Sequence, residues 1–250
     1  MNEPPIDLRI FDTWAGAPRV EEMCVAGRCV PRLVGEFWTA RQRQASALHE
    51  IAYRACFKPQ LPRYFIERLS QPGDPVYDPF SGRGTTAIET ALLRRRVIAN
   101  DLNPLSAILT APRLRLPAYP AIVERLARIS PAAHGAEIDL SMFFHPATER
   151  EIVGLRDYLR QRQQAGEEDD VDAWIRMVAT NRLTGHSNGF FSVYTLPPNQ
   201  AASPQRQRLI NSRLNQQPTY RDTRAIIPVS YTHLRAHETP EHLVCRLLLE

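Results

Sequence analysis

Two short apolar runs, Val76-Tyr77 and Val97-Ile98-Ala99, flank a segment in which Ala87, Ile88, Ala91 and Leu92 recur at helical spacing. That pattern predicts strand, glycine turn, helix, strand. The turn is Asp78-Pro79-Phe80-Ser81-Gly82-Arg83-Gly84-Thr85-Thr86, and the second strand ends on Asn100-Asp101, so a carboxylate stands at the end of each strand. Upstream, Thr39 to Phe57 reads as a helix capped by Thr39, with Ala47, Leu48, Ile51, Ala52 and Ala55 on one face. Tyr64, Phe65, Ile66 and Leu69 mark another. Downstream the helical pattern returns from Leu105 to about Ala111 and from Ile122 to Ile129. It returns again from Ala147 to Gln164, where Ile152, Leu155, Tyr158 and Leu159 recur, and from Val171 to about Leu183 behind the acidic turn Gly166–Asp170. Asp139 to Phe144 reads as a strand. Residues 1 to about 36, interrupted by Pro4, Pro5, Pro18 and Pro31, read as an irregular arm. Thr184 to Ile227, rich in Asn, Gln, Pro and Arg, reads as loop, and no internal repeat is evident.

The apolar fraction of 43% and charged fraction of 23% over 250 residues suit an ordinary globular chain with a sizeable core. The net charge of +4 is almost wholly arginine, since Lys58 is the only lysine. A GC-rich genome explains that bias, and so does a nucleic-acid partner, because arginine suits phosphates and base edges. Cys24, Cys29, Cys56 and Cys245 lack zinc-site spacing, which argues against a structural metal, and scattered free cysteines suit a reducing cytoplasm. No signal-peptide pattern opens the sequence and no run approaches the ~18 apolar residues of a membrane span.

The stretch Val229 to Glu250 is expected to be non-native. It fits, in one frame, the translation of a transposase-type sequencing adaptor, with Pro240 and Glu241 in the place of a sample barcode. His233, His237, His242 and Cys245 then carry no functional weight, and the native sequence is expected to run to about Pro228 as a C-terminally truncated fragment.

The chemistry concentrates in the Asp78–Thr86 turn. Gly82 and Gly84 allow a sharp bend and close approach to a ligand. Thr85 and Thr86 open the helix, where hydroxyls and free amides bind a carboxylate or phosphate. Asp101, 17 residues past Gly84, suits ribose hydroxyls. A phosphate-binding P-loop is excluded, for no lysine follows the glycines. Gly82-x-Gly84-x-x-Ala87 fits a dinucleotide fingerprint formally, yet Asp78 would then face a pyrophosphate with like charge. S-adenosylmethionine reverses that conflict. Its cationic amine and sulfonium suit Asp78, its carboxylate suits the helix start, and its ribose suits Asp101.

The motif Asp78-Pro79-Phe80-x-Gly82-x-Gly84-Thr85-Thr86 resembles the cofactor motif of the DNA amino-methyltransferases, which methylate adenine N6 or cytosine N4. Lys58-Pro59-Gln60-Leu61-Pro62 is similar to the segment that encloses the methionine end there, and Asn100-Asp101-Leu102-Asn103-Pro104 also fits. Asp172 to Met177 and Tyr194 to Gln200 look like other members of the group. The resemblance implies an α/β, Rossmann-like fold, here incomplete, with a mainly helical insertion. It implies cofactor contacts at Lys58, Pro59, Asp78, Pro79, Phe80, Ser81, Gly82, Gly84, Thr85, Thr86, Asp101 and Leu102. The expected divisions are an arm and helix (1–57), a cofactor-binding half (58–118), a helical insertion suited to DNA recognition (119–228) and the non-native tail (229–250).

That family also needs Asp, Asn or Ser before Pro-Pro and then Tyr or Phe, whose polar groups accept from the target amine while the ring stacks on a flipped base. Pro197-Pro198 stands between Leu196 and Asn199 and cannot serve. The catalytic motif is expected beyond residue 228, leaving this chain inert. Partners implied are DNA and a cognate restriction endonuclease encoded nearby, in the cytoplasm. Rival readings are an RNA guanine-N2 methyltransferase, a non-catalytic DNA-binding protein of the same fold, and an NAD-dependent oxidoreductase. Trp14, Phe37 and Trp38 suit packing. Arg41, Arg43 and Arg54 suit solvent or phosphate, and His186 suits a structural role or a DNA contact. Arg206, Arg208, Arg213, Arg221 and Arg224, with Tyr220 among them, suit a solvated segment or a phosphate track.

Overall fold

Val76 stands opposite Val97 and Asp78 opposite Ala99 in a parallel pair of strands. The computed structural model describes residues 10–12, 17–36, 46–51, 53, 56–196 and 202–235. In chain order these give β1 (Arg19–Val25), β2 (Arg28–Val34), α1 (Gln60–Leu69), β3 (Pro75–Asp78), α2 (Thr85–Leu92), β4 (Arg96–Ala99), α3 (Leu105–Leu114), α4 (Tyr119–Arg128), α5 (Pro146–Gln164), α6 (Asp170–Arg182), α7 (Pro204–Leu214) and α8 (Thr223–Arg235). It is a mixed helix-and-sheet architecture with, among the described residues, two two-stranded sheets. The expected β3–turn–α2–β4 unit is present.

The arm differs from its reading as irregular. β1 and β2 form an antiparallel hairpin from Arg19↔Val34 to Val25↔Arg28. Its two-residue turn holds Ala26 and Gly27 at φ of 50° and 75°, the doubly positive geometry that matches strand twist. The prolines exclude helix but not strand: Pro31 lies within a ribbon that pairs with no third strand among the described residues. Cys24 and Cys29 face each other in register and form a disulfide, so they are not free. Cysteine usage therefore no longer argues for a reducing compartment. Glu22 lies close to both sulfurs, but the disulfide occupies the thiols a metal would need.

Within the expected Thr39–Phe57 helix, the described residues form only a 3₁₀ turn, Ala47–His49, whose start Ser46 caps through Leu48 N–H. Trp14, Phe37, Trp38, Thr39, Arg41, Arg43 and Arg54 lie outside the described residues. α3 runs through Pro112 to Leu114, past the expected end. Asp139–Phe144 is turns and not a strand. Met142, Phe143 and Phe144 are all buried, whereas a strand sends consecutive side chains to opposite faces. Thr184–Ile227 is not all loop. Ser203 and Pro204 start α7, Asn215 ends it in the left-handed conformation, and α8 begins at Thr223.

One core joins the two halves. Trp174, Ile175 and Met177 of α6 are fully buried and cluster with Leu109 of α3, Ile122 and Leu126 of α4, Ile227 of α8, and Ala47 and Ile51. Asp169 and Asp172 close a capping box at the start of α6. Buried Asp172 is held by Arg125 of α4 and, at 2.9 Å, by Arg162 of α5. A buried carboxylate needs such partners. α8 continues across Pro228 to Arg235. Tyr231, beyond the expected junction, is buried edge-on to Trp174 and donates its hydroxyl to Pro117 O at 2.9 Å.

Candidate functional site

The parallel register of β3 and β4 brings their carboxyl ends side by side, and with them Asp78 and Asp101. Asp78 is half-buried; its Oδ1 accepts the Phe80 N–H at 3.0 Å, and its carbonyl accepts the Asn100 N–H at 2.9 Å. Ser81 N–H returns to Asn100 O at 2.9 Å. Asp101 reaches across to the turn: its Oδ2 accepts the Gly82 N–H at 2.7 Å and its Oδ1 the Asn103 N–H at 2.8 Å. These amide bonds, from Asn103 and Gly82, hold its carboxyl below the usual carboxylate range. Each carboxylate oxygen keeps a lone pair for a ligand hydroxyl.

Gly84 caps α2 at φ +80°, and a Cβ there would stand 2.4 Å from Thr110 Oγ1. The position demands glycine for conformation and for space. Gly82 is also left-handed, at φ +53°, but its missing Cβ would meet only the Tyr53 ring at 3.5 Å. α2 begins with Thr85, buried, and Thr86, half-buried. The N–H groups of a helix's first turn have no partner within the helix. Ser81 Oγ is buried without a hydrogen-bond partner, an orphan that a ligand or water would satisfy. Phe80 is 85% exposed and Leu102 fully exposed, two apolar side chains flanking the carboxylates.

The structure thus gathers Asp78, Pro79, Phe80, Ser81, Gly82, Gly84, Thr85, Thr86, Asp101 and Leu102 at one end of the strand pair. Pro59 is buried and leads into α1, and Lys58 is exposed; no hydrogen bond joins either to the turn. Pro197 and Pro198 lie outside the described residues. His186 is exposed and packs against Phe190, and Tyr220 donates to Glu151 Oε1 at 2.7 Å.

Sequence reasoning missed how the preceding segment is locked to the turn. Arg83, between the two glycines, donates to His49 O at 3.1 Å and Ile51 O at 2.9 Å, and its Nε to Thr85 Oγ1 at 3.2 Å. Arg113, 2% exposed, donates to Leu109 O at 2.7 Å, to Leu48 O at 2.6 Å and to Arg83 O. Burial, with the Arg83 charge beside it, pushes the Arg113 pKa down to about 9, which leaves it charged at neutral pH. His49 and Glu89 are both buried and share a 2.7 Å hydrogen bond, and Arg63 reaches the other Glu89 oxygen at 3.3 Å. Burial holds the His49 imidazole below its ordinary range despite Glu89, so the neutral ring donates Nε2–H to the carboxylate. The only sequence signal for this lock is a charged residue between two turn glycines.

Residues 28–107 match the family model described as DNA methylase. The type II methyltransferase M.MjaII of Methanocaldococcus jannaschii is 31% identical over 75 residues, which is 30% of this chain and 14% of that protein. A tRNA (guanine(37)-N(1))-methyltransferase of Drosophila pseudoobscura pseudoobscura is 51% identical over 41 residues, 16% of this chain and 9% of that protein. The chain therefore matches well under a fifth of the length of either relative. No solved structure matches. The glycine turn, both strand-end carboxylates and the docked upstream segment all fall inside the stretch, residues 28–107, that is similar to the N6/N4 DNA methylases.

Proposed function

We propose that the Asp78–Thr86 turn and Asp101 hold S-adenosylmethionine, and that the protein acts in transfer of its methyl group to an exocyclic amine of DNA, adenine N6 or cytosine N4. The observation that carries this reading is the pairing of two carboxylates at adjacent strand ends with the open start of α2 behind a glycine turn. Asp78 suits the cationic amine and sulfonium, and Asp101 accepts from the ribose hydroxyls. Thr85 and Thr86 donate to the carboxylate, and the orphaned Ser81 Oγ supplies a further polar contact. Phe80 and Leu102 flank the adenine, while Lys58 and Pro59 border the methionine end. Bound there, the cofactor supplies an electrophilic methyl group. A pyrophosphate would meet Asp78 with like charge, which disfavours a nicotinamide dinucleotide.

No Asp-, Asn- or Ser-Pro-Pro-Tyr/Phe sequence occurs in these 250 residues. We therefore assign the chain the donor site and no acceptor site, and expect it to bind the cofactor without transferring the methyl group. The fold reading is a Rossmann-like methyltransferase domain joined to a helical region, 119–228, that recognises DNA. A cytoplasmic protein working beside a cognate restriction endonuclease fits that reading. No helix among the described residues is long and apolar enough to cross a membrane.

The match to a tRNA methyltransferase keeps RNA as a second reading. Calorimetric titration tests the cofactor assignment: S-adenosylmethionine should bind and NAD should not. NAD binding in its place would overturn it.

A further inference from the structure

From Ala173 to Arg221 the sequence contains no Asp or Glu and six arginines, at 176, 182, 206, 208, 213 and 221. The whole chain carries +4, so this stretch of +6 leaves the remainder at −2. The positive charge is therefore segregated. Four of the six have partners: Arg176 on Glu168, Arg182 on Ser230 Oγ, Arg208 on Asp139 and Arg221 on Asn188 O. Arg206 and Arg213, both on α7, are exposed, and their side chains have no partner among the described residues.

α7 is seated the wrong way round for an ordinary surface helix, which buries its apolar stripe and exposes its amides. Here Gln207 is fully buried and donates to Tyr194 O at 2.9 Å, and Asn211 donates to Met142 O at 2.8 Å. Leu209 is 71% exposed on the other side. Arg206, Leu209 and Arg213 follow one another at i, i+3 and i+7, which places them on one face. The helix holds the body by amides and offers solvent a leucine between two arginines. It carries no carboxylate that would repel a polyanion, and Gln205 adds an exposed amide of the kind that reads base edges.

We propose that α7 is a docking helix for duplex DNA, with Arg206 and Arg213 on phosphates and Leu209 against the bases. A helix with side chains is about 10–12 Å across and the major groove about 12 Å wide, so the element fits. The two arginines are about 10 Å apart along the axis, a length over which a duplex presents several phosphates. This rests on the DNA reading of the proposed function and deepens it, since it says which surface meets the substrate.

The test is fluorescence anisotropy of the full chain with a labelled duplex, titrated between about 50 and 200 mM salt. Arg206→Gln/Arg213→Gln is compared with Arg28→Gln/Arg160→Gln, a charge-matched pair of exposed arginines elsewhere. The α7 pair should weaken binding roughly tenfold and lower the salt slope by about 2, and the control pair should leave both near wild type. Leu209→Ser should weaken binding without changing the slope. Equal loss in the two double variants, or none in the α7 pair, would overturn the proposal. So would duplex RNA displacing DNA at lower concentration than DNA itself. S-adenosylmethionine titration of the same samples separates the two claims, because wild-type protein that fails to bind it counts against the cofactor site and not against α7.

Discussion

The Gly82 N–H donates to Asp101 Oδ2 at 2.7 Å, joining the glycine turn after β3 to the end of β4 across 19 residues of sequence. The carboxylate proposed to hold the ribose therefore also sets the shape of the turn. Asp101→Ala removes both functions, and cofactor affinity should fall at least tenfold. Asp101→Asn keeps an acceptor for Gly82 and should lose less. The carboxyl is held low by two backbone amides, so its contribution exists above the ordinary carboxylate range and is lost only as pH falls below about 4. Affinity measured from pH 8 to 5 should show no step from Asp101.

The two turn glycines should respond differently to alanine. Both have positive φ, which costs an alanine roughly 1–2 kcal/mol. At Gly84 the new Cβ also meets Thr110 at 2.4 Å, whereas at Gly82 it meets a ring at 3.5 Å. Denaturant unfolding should show Gly84→Ala as clearly the more destabilising, by about 3 kcal/mol or more. Thr110→Ala should recover part of that loss. Equal costs would contradict the packing described.

His49 gives a pH signature. Its folded pKa is depressed by burial, so its contribution to stability is present above its unfolded value of about 6.5 and declines as pH falls through that value. The midpoint of thermal unfolding should drop between pH 7 and 5, and His49→Gln should flatten the drop. An unchanged profile in the variant would mean that another group titrates.

Arg113 satisfies the Leu48, Leu109 and Arg83 carbonyls from a fully buried position. Arg113→Ala should destabilise by roughly 1–3 kcal/mol for each carbonyl left unpaired and should weaken cofactor binding through the loosened turn. Arg113→Lys, which cannot fork to three acceptors in a plane, should recover only part. A stability close to wild type for Arg113→Ala would show that the lock is dispensable.

Much of the proposed donor site is legible in the sequence alone, because its chemistry is local: two strand ends, two glycines and a helix start lie within 24 residues, 78 to 101. Charge sufficed to favour one cofactor among three. Long-range partners were not legible. Nothing in Arg83, Arg113, His49 or Glu89 as letters says that they converge, since their pairing depends on tertiary burial. The hairpin is hidden because proline argues against helix without marking a strand, and its strands have no buried face to impose alternation. α7 is hidden in the sequence because it buries an amide and exposes a leucine, which inverts the pattern that marks a helix.

The central claim is that Asp78 meets the cationic end of a bound methyl donor. Calorimetric titration of S-adenosylmethionine into wild-type protein and into Asp78→Asn tests it most directly. The Asn variant keeps an oxygen for the Phe80 amide and loses only the charge. Binding at least tenfold weaker in the variant, with an unchanged unfolding midpoint, is the expected result. Equal affinity in the two proteins, or no binding to either, would contradict the account.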